Sequence, residues 1–382
     1  MAGPADPERR PSRAPDGARP DVFAAVRGRM LVHTDSRYLE RTGHVDPAHS
    51  GLVISGEGAD RRLAELRGGF EVLLVDRARY TAEPATKDAP FVWDGQGALT
   101  SAWARDTVAV LHDELADQTG RGASFALSPT RYIAANDTAA FEAAAHAITE
   151  FGDPRMIFTV PLSAAWLEKE SIARTVAILR EVPGVKTLVL GGQMDPLGKL
   201  KERTVANLCA LLAEVPDMAV LRTDIAAVGA LAHGAAFTSF GVTSTLRHLI
   251  PPGEQAAGGR PTSPSVLYPE LMTFYLGSTI ADRHSGGSAP ECGCGLCEGR
   301  PLDRFTTKGN GLEGEAIGHN VATMTQWSVD LRSPEARIDP REWWRTRCQD
   351  AVDRAGQLST LLRAAGRKGL EPSRQLRQWA AV

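Results

Sequence analysis

The chain has 382 residues, of which 43% are hydrophobic and 23% charged, and its formal net charge is −3. This composition is typical of a globular protein with one large α/β domain or two ordinary ones, and it excludes a wholly disordered or collagen-like chain. The slight negative charge also excludes a surface coated with positive charge. A nucleic acid would therefore have to bind a local basic patch.

No apolar run approaches the roughly 18 to 20 residues of a membrane span, and the N-terminus has no apolar signal core. We therefore expect a cytoplasmic protein with no membrane partner. Three of the five cysteines fall within six residues, Cys292 to Cys297. Secreted disulfide frameworks spread an even number of cysteines along a short chain, so reduced thiols that bind a metal are the better interpretation.

Residues 1–20 are rich in Pro, Arg and Asp and predict a disordered leader. From Met30 onward, short apolar runs alternate with longer helical stretches, which is typical of a parallel sheet with crossover helices. The predicted strands are residues 30–34, 51–54, 70–75, 124–127, 156–161, 186–190, 218–221 and 236–240. Eight such strands predict a (β/α)8 TIM barrel, which we assign to residues 21–285.

Apolar residues at helical spacing predict helices over residues 139–151, 167–182 and 197–215. A further helix, 101–115, is predicted within the long connection 81–122. The Gly/Pro/Ser-rich segment 251–264 predicts a mobile loop. Beyond the barrel we assign residues 286–330 to a metal-binding subdomain and residues 331–382 to a helical tail that packs on the barrel.

The sequence Cys292-Gly-Cys294-Gly-Leu-Cys297 is a CxCxxC knuckle. Its glycines let the backbone fold tightly enough for three thiolates to face one zinc ion at about 2.3 Å. The fourth ligand that we expect is His319, because no other histidine follows the knuckle. Four protein ligands leave no open position, so the zinc would be structural. The alternatives are core or redox cysteines and an ordinary histidine.

The knuckle and the later pair His319-Asn320 resemble the zinc signature of the tRNA-guanine transglycosylases, the queuine tRNA-ribosyltransferase superfamily. The run Leu-Leu-Val-Asp76 resembles the family strand that ends in an aspartate, and Gly191-Gly192 resembles its paired glycines that contact the base. The resemblance runs from about residue 70 to residue 321. It implies a (β/α)8 barrel with a zinc subdomain near its C-terminal end, and a homodimer formed around that subdomain.

This chain departs from the family pattern at three places. Residues 237–239 read Phe-Thr-Ser where the family has a Phe-Asp whose carboxylate attacks the ribose C1′. After Asp76 this chain reads Arg-Ala-Arg-Tyr at residues 77–80, whereas the family continues with Ser-Gly-Gly-Phe-Gln. The second base-reading aspartate of the family falls near Ser128-Pro129. We therefore do not expect standard base exchange.

Active sites of barrels lie at the C-terminal ends of the strands. On this basis Asp76 and Ser239 are the candidate catalytic residues, and the candidate substrate-binding residues are Gly191, Gly192, Gln193 and Asp195. Each polar residue among them could instead cap or stabilise a loop. Ser239 is a poor nucleophile unless a base lies beside it, and the sequence shows none. We expect Asp76→Ala to leave folding intact, and Cys294→Ala to lose zinc and destabilise the C-terminal third.

The resemblance supports more than one function. The first is a divergent transglycosylase-like protein, a glycosyltransferase if active, that binds a guanine or 7-deazaguanine-type base or nucleotide. The second is a non-catalytic partner subunit, as with the accessory subunit of the eukaryotic transglycosylase. The chain is also similar to transglycosylase-like proteins found beside antiphage signalling genes, where another protein of the operon would be the partner.

The C-terminal tail carries basic residues that could bind tRNA. Arg363, Arg367, Lys368, Arg374 and Arg377 could meet phosphates, or they could form a solvated helical face. The solvated face is the simpler interpretation, because Trp379 alone could provide an aromatic platform for unpaired bases.

Overall fold

Eight parallel strands form one sheet in the computed structural model, which describes residues 22–43, 45–92, 107–199, 203–255, 261–287, 289–309 and 311–382. The sheet order is β3-β2-β1-β8-β7-β6-β5-β4. The strands are β1 Arg29–Asp35, β2 Leu52–Ser55, β3 Leu73–Asp76, β4 Ala126–Leu127, β5 Met156–Ser163, β6 Lys186–Gly191, β7 Met218–Thr223 and β8 Phe237–Gly241. Across the remaining gap the Ser124 amide donates a 2.8 Å hydrogen bond to the Leu73 carbonyl. The sheet therefore nearly closes, and the predicted TIM barrel is confirmed.

The strands are buried on both faces, as in other parallel barrels. In β1, Met30 and Val32 pack outward against the helices, whereas Leu31 belongs to a separate apolar cluster that fills the barrel interior. This alternation follows from the two-residue period of a strand. It also directs His33, two residues after Leu31, into the interior, where its side chain is fully buried.

The helices before and between the strands are α1 Val22–Val26, α2 Ala59–Glu65, α3 Thr107–Gly120, α4 Thr138–Phe151, α5 Ile172–Glu181, α6 Pro196–Lys199, α7 Thr204–Glu214 and α8 Ala226–Ala232. Helix α4 matches its predicted range. The Asp137 side chain caps its first turn by accepting from the Ala140 amide at 3.0 Å, and Gly152 ends it in a left-handed conformation.

Two predicted helices are shorter than expected. The stretch 167–182 starts with a 3-10 turn at Ala164–Leu167, so α5 begins only at Ile172. The stretch 197–215 is divided between α6 and α7, because Arg203 has a φ of 79°, which no α-helix accommodates. Residues 101–106 of the helix predicted at 101–115 lie outside the described residues, as do the leader 1–20 and residues 256–260 of the predicted loop.

The C-terminal part begins with a hairpin that stands apart from the barrel sheet. Its antiparallel strands are β9 Ser265–Tyr268 and β10 Thr273–Leu276. The helices that follow are α9 Gly277–His284, α10 Leu312–Asp330, α11 Pro334–Ile338, α12 Pro340–Ala364 and α13 Arg374–Trp379. The hairpin, the cysteine knuckle and α10 share one small apolar core.

The tail helices α12 and α13 pack on the barrel through two buried tryptophans. Trp344 and Trp379 lie against Gly229 of α8, where an added Cβ would be 2.6 Å from Trp344 Nε1 and 2.9 Å from the Trp379 ring. A glycine on α8 therefore permits this close approach. Within the described part of the chain, no helix is both long enough and apolar enough to cross a membrane.

Candidate metal centre and candidate site at the barrel mouth

The three knuckle cysteines and His319 are brought together as the sequence predicts. Their four ligand atoms lie within 4.8 Å of one another. His319 Nδ1 is 3.4 Å from Sγ of Cys292, 3.5 Å from that of Cys294 and 3.4 Å from that of Cys297. Tetrahedral zinc, with Zn–S of about 2.3 Å and Zn–N of about 2.05 Å, separates sulfur from nitrogen by about 3.6 Å. The cluster could therefore hold a metal ion, and its donor set is consistent with zinc.

The pair His319-Asn320 joins α10 to β9. His319 Nε2 lies 2.7 Å from the Leu267 carbonyl, so an N–H donated there leaves Nδ1 to face the thiols. Asn320 Oδ1 accepts from the Leu267 amide at 2.8 Å, and its Nδ2 donates to the Ser265 carbonyl at 2.9 Å. The Leu267 carbonyl thus orients the imidazole of His319, and Asn320 satisfies the backbone edge of β9, which gives a physical reason for the dipeptide.

The knuckle is a tight loop with local polar support. Glu298 and Gly299 both have left-handed φ angles, of 50° and 87°, and turn the chain immediately after Cys297. The Cys297 amide donates to Cys294 Sγ at 3.4 Å, and Arg304 Nη2 lies 3.1 Å from Cys297 Sγ. A cation at this distance favours the thiolate form that binds metals. Because all four ligands come from the protein, the arrangement is that of a structural site.

At the barrel mouth, meaning the C-terminal ends of β1 to β8, Asp76 is buried among polar partners. Its Oδ2 accepts from the Tyr80 hydroxyl at 2.5 Å, and its Oδ1 accepts from the Ala78 amide at 2.8 Å. Oδ2 also lies 3.3 Å from His33 Nε2 and 3.6 Å from Arg222 Nη1. The predicted catalytic aspartate is therefore already surrounded by one cation and three other polar groups.

These surroundings set the charge states of the cluster. Burial alone would raise the pKa of Asp76, but His33 and the charge of Arg222 outweigh it, so that pKa lies below its usual range. Burial lowers the pKa of His33 despite the carboxylate beside it. Burial also raises the pKa of the Tyr80 phenol. At neutral pH the cluster is thus an ionised aspartate and an arginine beside a neutral imidazole and a neutral phenol.

Ser239, the second predicted catalytic residue, lies on the other side of the same imidazole. Its Oγ is 3.4 Å from His33 Nδ1 and accepts from the Arg222 amide at 3.0 Å. Reasoning from the sequence found no base beside Ser239 and missed His33. The signal that could have found it is a titratable residue at an inward position of an otherwise apolar strand.

A cleft at the ends of β3, β4 and β5 adjoins this cluster. Asp76, Ser128 and Thr159 line it, together with residues 77–80. Its empty volume is about 280 Å³, counting the part that is open to solvent. The space that a water-sized sphere can enter is only about 20 Å³, so a larger ligand could bind there only after neighbouring side chains move. The Thr159 hydroxyl is buried and has no hydrogen-bond partner among the described residues.

Arg77 lies in the loop directly after Asp76. Its guanidinium donates to Glu114 at 2.8 Å and to Asp60 at 2.9 Å, and it also pairs with Asp117. Arg79 donates to the other Glu114 oxygen at 2.7 Å. This network ties the loop after β3 to α3.

The four predicted substrate-binding residues are not among those that line the cleft. Gly191 lies under Tyr132 and Leu249, and an added Cβ would be 2.5 Å from the Tyr132 ring. Gly192 donates its amide to the Leu249 carbonyl, 2.9 Å away. Gln193 donates to the Gln255 carbonyl at 3.0 Å.

Asp195, the fourth of these residues, accepts from the Gly198 amide at 2.8 Å. Burial and the nearby Asp224 carboxylate raise the pKa of Asp195 to about 7. Gln375 of α13 donates to both oxygens of Asp224, at 2.8 and 3.0 Å. The tail therefore contacts this side of the barrel mouth, and Asp195 and Asp224 form a half-buried carboxylate pair beside it.

A scan against protein-family models gave no match, and a search of curated proteins gave none either. Among solved structures, the chain is similar to a mutant tryptophan synthase α-subunit from the hyperthermophile Pyrococcus furiosus. The identity is 10%, the TM-score is 0.32, and the match covers 56% of this chain and 88% of that one. A likeness of this size carries no argument about fold or function.

Proposed function

We propose that this chain is a divergent, zinc-stabilised relative of the tRNA-guanine transglycosylases that binds a guanine or 7-deazaguanine-type base, free or as a nucleotide. The observation that carries the proposal is the cleft at the ends of β3 and β4. Asp76 and Ser128, at the positions of the family's two base-reading aspartates, line it together. The cysteine–histidine cluster with its His-Asn pair is the second support.

The cleft offers suitable chemistry for the edge of a purine. The unpartnered Thr159 hydroxyl could donate or accept, and the Ser128 hydroxyl is 2.7 Å from that of Thr130, so the two can exchange roles. A bound base would compete with the Tyr80 hydroxyl for Asp76, and movement of Tyr80 would also widen the cleft. Because residues 237–239 contain no carboxylate, the proposal is base binding rather than standard base exchange.

In this proposal the metal is zinc, held by the three cysteines and His319. When bound, it would supply crosslinking and no reaction chemistry, because four protein ligands leave no open position. The residues themselves join β9 to α10 through the hydrogen bonds of His319 and Asn320. A homodimer and a cytoplasmic location complete the proposal, on the resemblance to the family.

Calorimetry with guanine and 7-deazaguanine bases tests the binding. Thr159→Val removes the unpartnered hydroxyl while keeping the shape of the side chain. Loss of one hydrogen bond worth about 1 kcal/mol should weaken binding about fivefold. The matched control is Thr187→Val. Thr187 is the register partner of Thr159 on β6, and its hydroxyl is also buried without a described partner, but it does not line the cleft.

The two valine variants should retain zinc and the wild-type melting temperature. Base binding that weakens in Thr159→Val and not in Thr187→Val supports the cleft. Equal binding by both variants would place the base elsewhere. The proposal would be refuted if zinc-loaded protein gave no heat of binding with either base, both in the presence and in the absence of a tRNA pool.

A second candidate function is that of a non-catalytic partner subunit, including one that serves an antiphage operon. Two observations favour it: Asp76 accepts from Tyr80 and lies beside His33 and Arg222, and Gly191 is covered by Tyr132. The test is expression with the neighbouring genes, followed by gel filtration and native mass spectrometry. A stoichiometric complex with one neighbouring gene product would support this function, and a chain that associates only with itself would contradict it.

A further inference from the structure

We propose that Ser239 is the nucleophile of an acyl-transfer site, with His33 as its base and Asp76 as the residue that positions His33. The proposal does not depend on base binding, because it rests on the interior of the barrel rather than on the cleft. The substrate class is an ester or an amide, and water is the acceptor in hydrolysis.

The three side chains form a continuous relay from three different strands. Ser239 Oγ on β8 is 3.4 Å from His33 Nδ1 on β1, and His33 Nε2 is 3.3 Å from Asp76 Oδ2 at the end of β3. Both distances are longer than an ideal hydrogen bond, and within the described residues His33 Nε2 has no hydrogen-bond partner. Catalytic hydrogen bonds are often this long before a substrate binds. Strands hold such residues more rigidly than loops do.

The hydrogen bonds around Ser239 direct its proton toward the imidazole. The Arg222 amide donates to Ser239 Oγ at 3.0 Å, which occupies a lone pair of that oxygen. The hydroxyl hydrogen is then free to point at His33 Nδ1. On the opposite side, an ionised Asp76 favours the tautomer that carries its hydrogen on Nε2. His33 Nδ1 is therefore the acceptor that a serine nucleophile requires.

The chemistry follows from this arrangement. As Ser239 Oγ bonds to the acyl carbon, its proton passes to His33 Nδ1. The tetrahedral intermediate then expels the alcohol or amine, which takes that proton from His33. Water attacks the resulting serine ester, with His33 again accepting the proton, and Ser239 is regenerated as the acid departs. The reaction requires no oxidant, reductant or metal.

Acyl transfer suits this serine better than attack on a sugar. A serine oxygen on the anomeric carbon would form an ordinary O-glycoside, which lacks the good carboxylate leaving group of an aspartyl intermediate. A serine oxygen on an acyl carbon forms an ester, which water and a positioned base cleave readily. An acyl carbon is therefore the electrophile that suits Ser239.

Arg222 connects the relay to the barrel mouth, since its amide contacts Ser239 and its guanidinium contacts groups at the mouth. Its Nη1 donates to the Tyr80 hydroxyl at 2.9 Å, and its Nη2 donates to the Thr245 carbonyl at 2.8 Å. Its φ of 54° is left-handed, next to an irregular pairing of β7 with β8. Such a conformation is strained in a residue other than glycine. Release of this side chain would expose Ser239, whose exposed fraction is now 0%.

An alkyl fluorophosphonate tests the nucleophile directly on the zinc-loaded full chain. A phosphorus–oxygen bond forms at the activated serine, fluoride leaves, and the hydroxyl proton goes to the base. We expect one adduct, located at Ser239 by peptide mass spectrometry, and none in Ser239→Ala. His33→Gln should slow labelling about 100-fold or more, the usual contribution of a general base. Arg222→Ala should accelerate labelling, because loss of this side chain should open the relay to the barrel mouth.

Ser244→Ala is the matched control, because Ser244 lies in the turn after β8 and outside the relay. This variant should be labelled at Ser239 at the wild-type rate. The labelling rate of the wild type should be flat at neutral pH and fall as His33 is protonated, below its ordinary pKa of 6.5 because burial lowers that pKa. In His33→Gln this fall should disappear. Absence of a Ser239 adduct in the folded wild type after prolonged exposure to excess probe would overturn the proposal.

Discussion

Replacement of Asp76 by alanine tests the electrostatics of the barrel interior. The side chain accepts from the Tyr80 hydroxyl and the Ala78 amide and lies 3.6 Å from the Arg222 guanidinium. Its removal leaves a buried cation without its carboxylate. Breaking a buried pair from one side costs about 3–5 kcal/mol. Domains of ordinary stability have about 5–15 kcal/mol, so the variant should fold but lose a large share of its stability.

The assay is the free energy of unfolding from urea titration at pH 7 with saturating zinc. Asp113→Ala is the control, because Asp113 is exposed on α3 and should change the free energy by no more than about 0.5 kcal/mol. A loss below about 1 kcal/mol for Asp76→Ala, at unchanged zinc content, would refute this reasoning. This expectation replaces the one from the sequence, that Asp76→Ala leaves folding intact.

Three further outcomes follow from the structure. Cys294→Ala should bind no zinc and should melt at the same temperature with or without added zinc, whereas Cys209→Ala should bind zinc and be stabilised by it. Metal analysis and thermal melting measure the two effects. Full metal content in Cys294→Ala would refute the zinc assignment. Because the pKa of Asp76 is lowered, its stabilising contribution is present above pH 3.8 and is lost as pH falls further, so acid titration should destabilise Asp76→Asn less than the wild type. Gly229→Ala should lower the free energy of unfolding by about 1–3 kcal/mol, because the added methyl group overpacks against Trp344. This loss exceeds the gain from the higher helix propensity of alanine. A higher melting temperature in the variant would contradict this expectation.

The barrel could be predicted from the sequence because each strand carries its own signal. Eight apolar runs of strand length, separated by helical stretches, admit few arrangements other than a parallel sheet closed on itself. The strand ends differed by up to three residues, as at Phe70, where the prediction began ahead of β3. The helices were less accurate where a residue adopts a left-handed conformation, as Arg203 does within the predicted helix 197–215.

The metal cluster was also local enough to be found. Its three cysteines lie within six residues, and tight glycine-rich spacing of thiols has few other uses. His319 could be chosen because no other histidine follows them. The hydrogen bonds that orient it, from β9, could not be foreseen, since Leu267 is 52 residues away in the chain and contributes only backbone atoms.

The sequence by itself determined the barrel, the cluster of three cysteines with His319, and the positions of Asp76 and Ser239. Only the tertiary structure decided that these two residues share His33, because Ser239 and His33 are 206 positions apart and meet where β8 pairs with β1. It also decided that Gly191 lies under Tyr132 rather than facing open space. Strand signals arise from neighbouring residues, whereas a site in a parallel barrel combines the ends of strands that only sheet closure brings together.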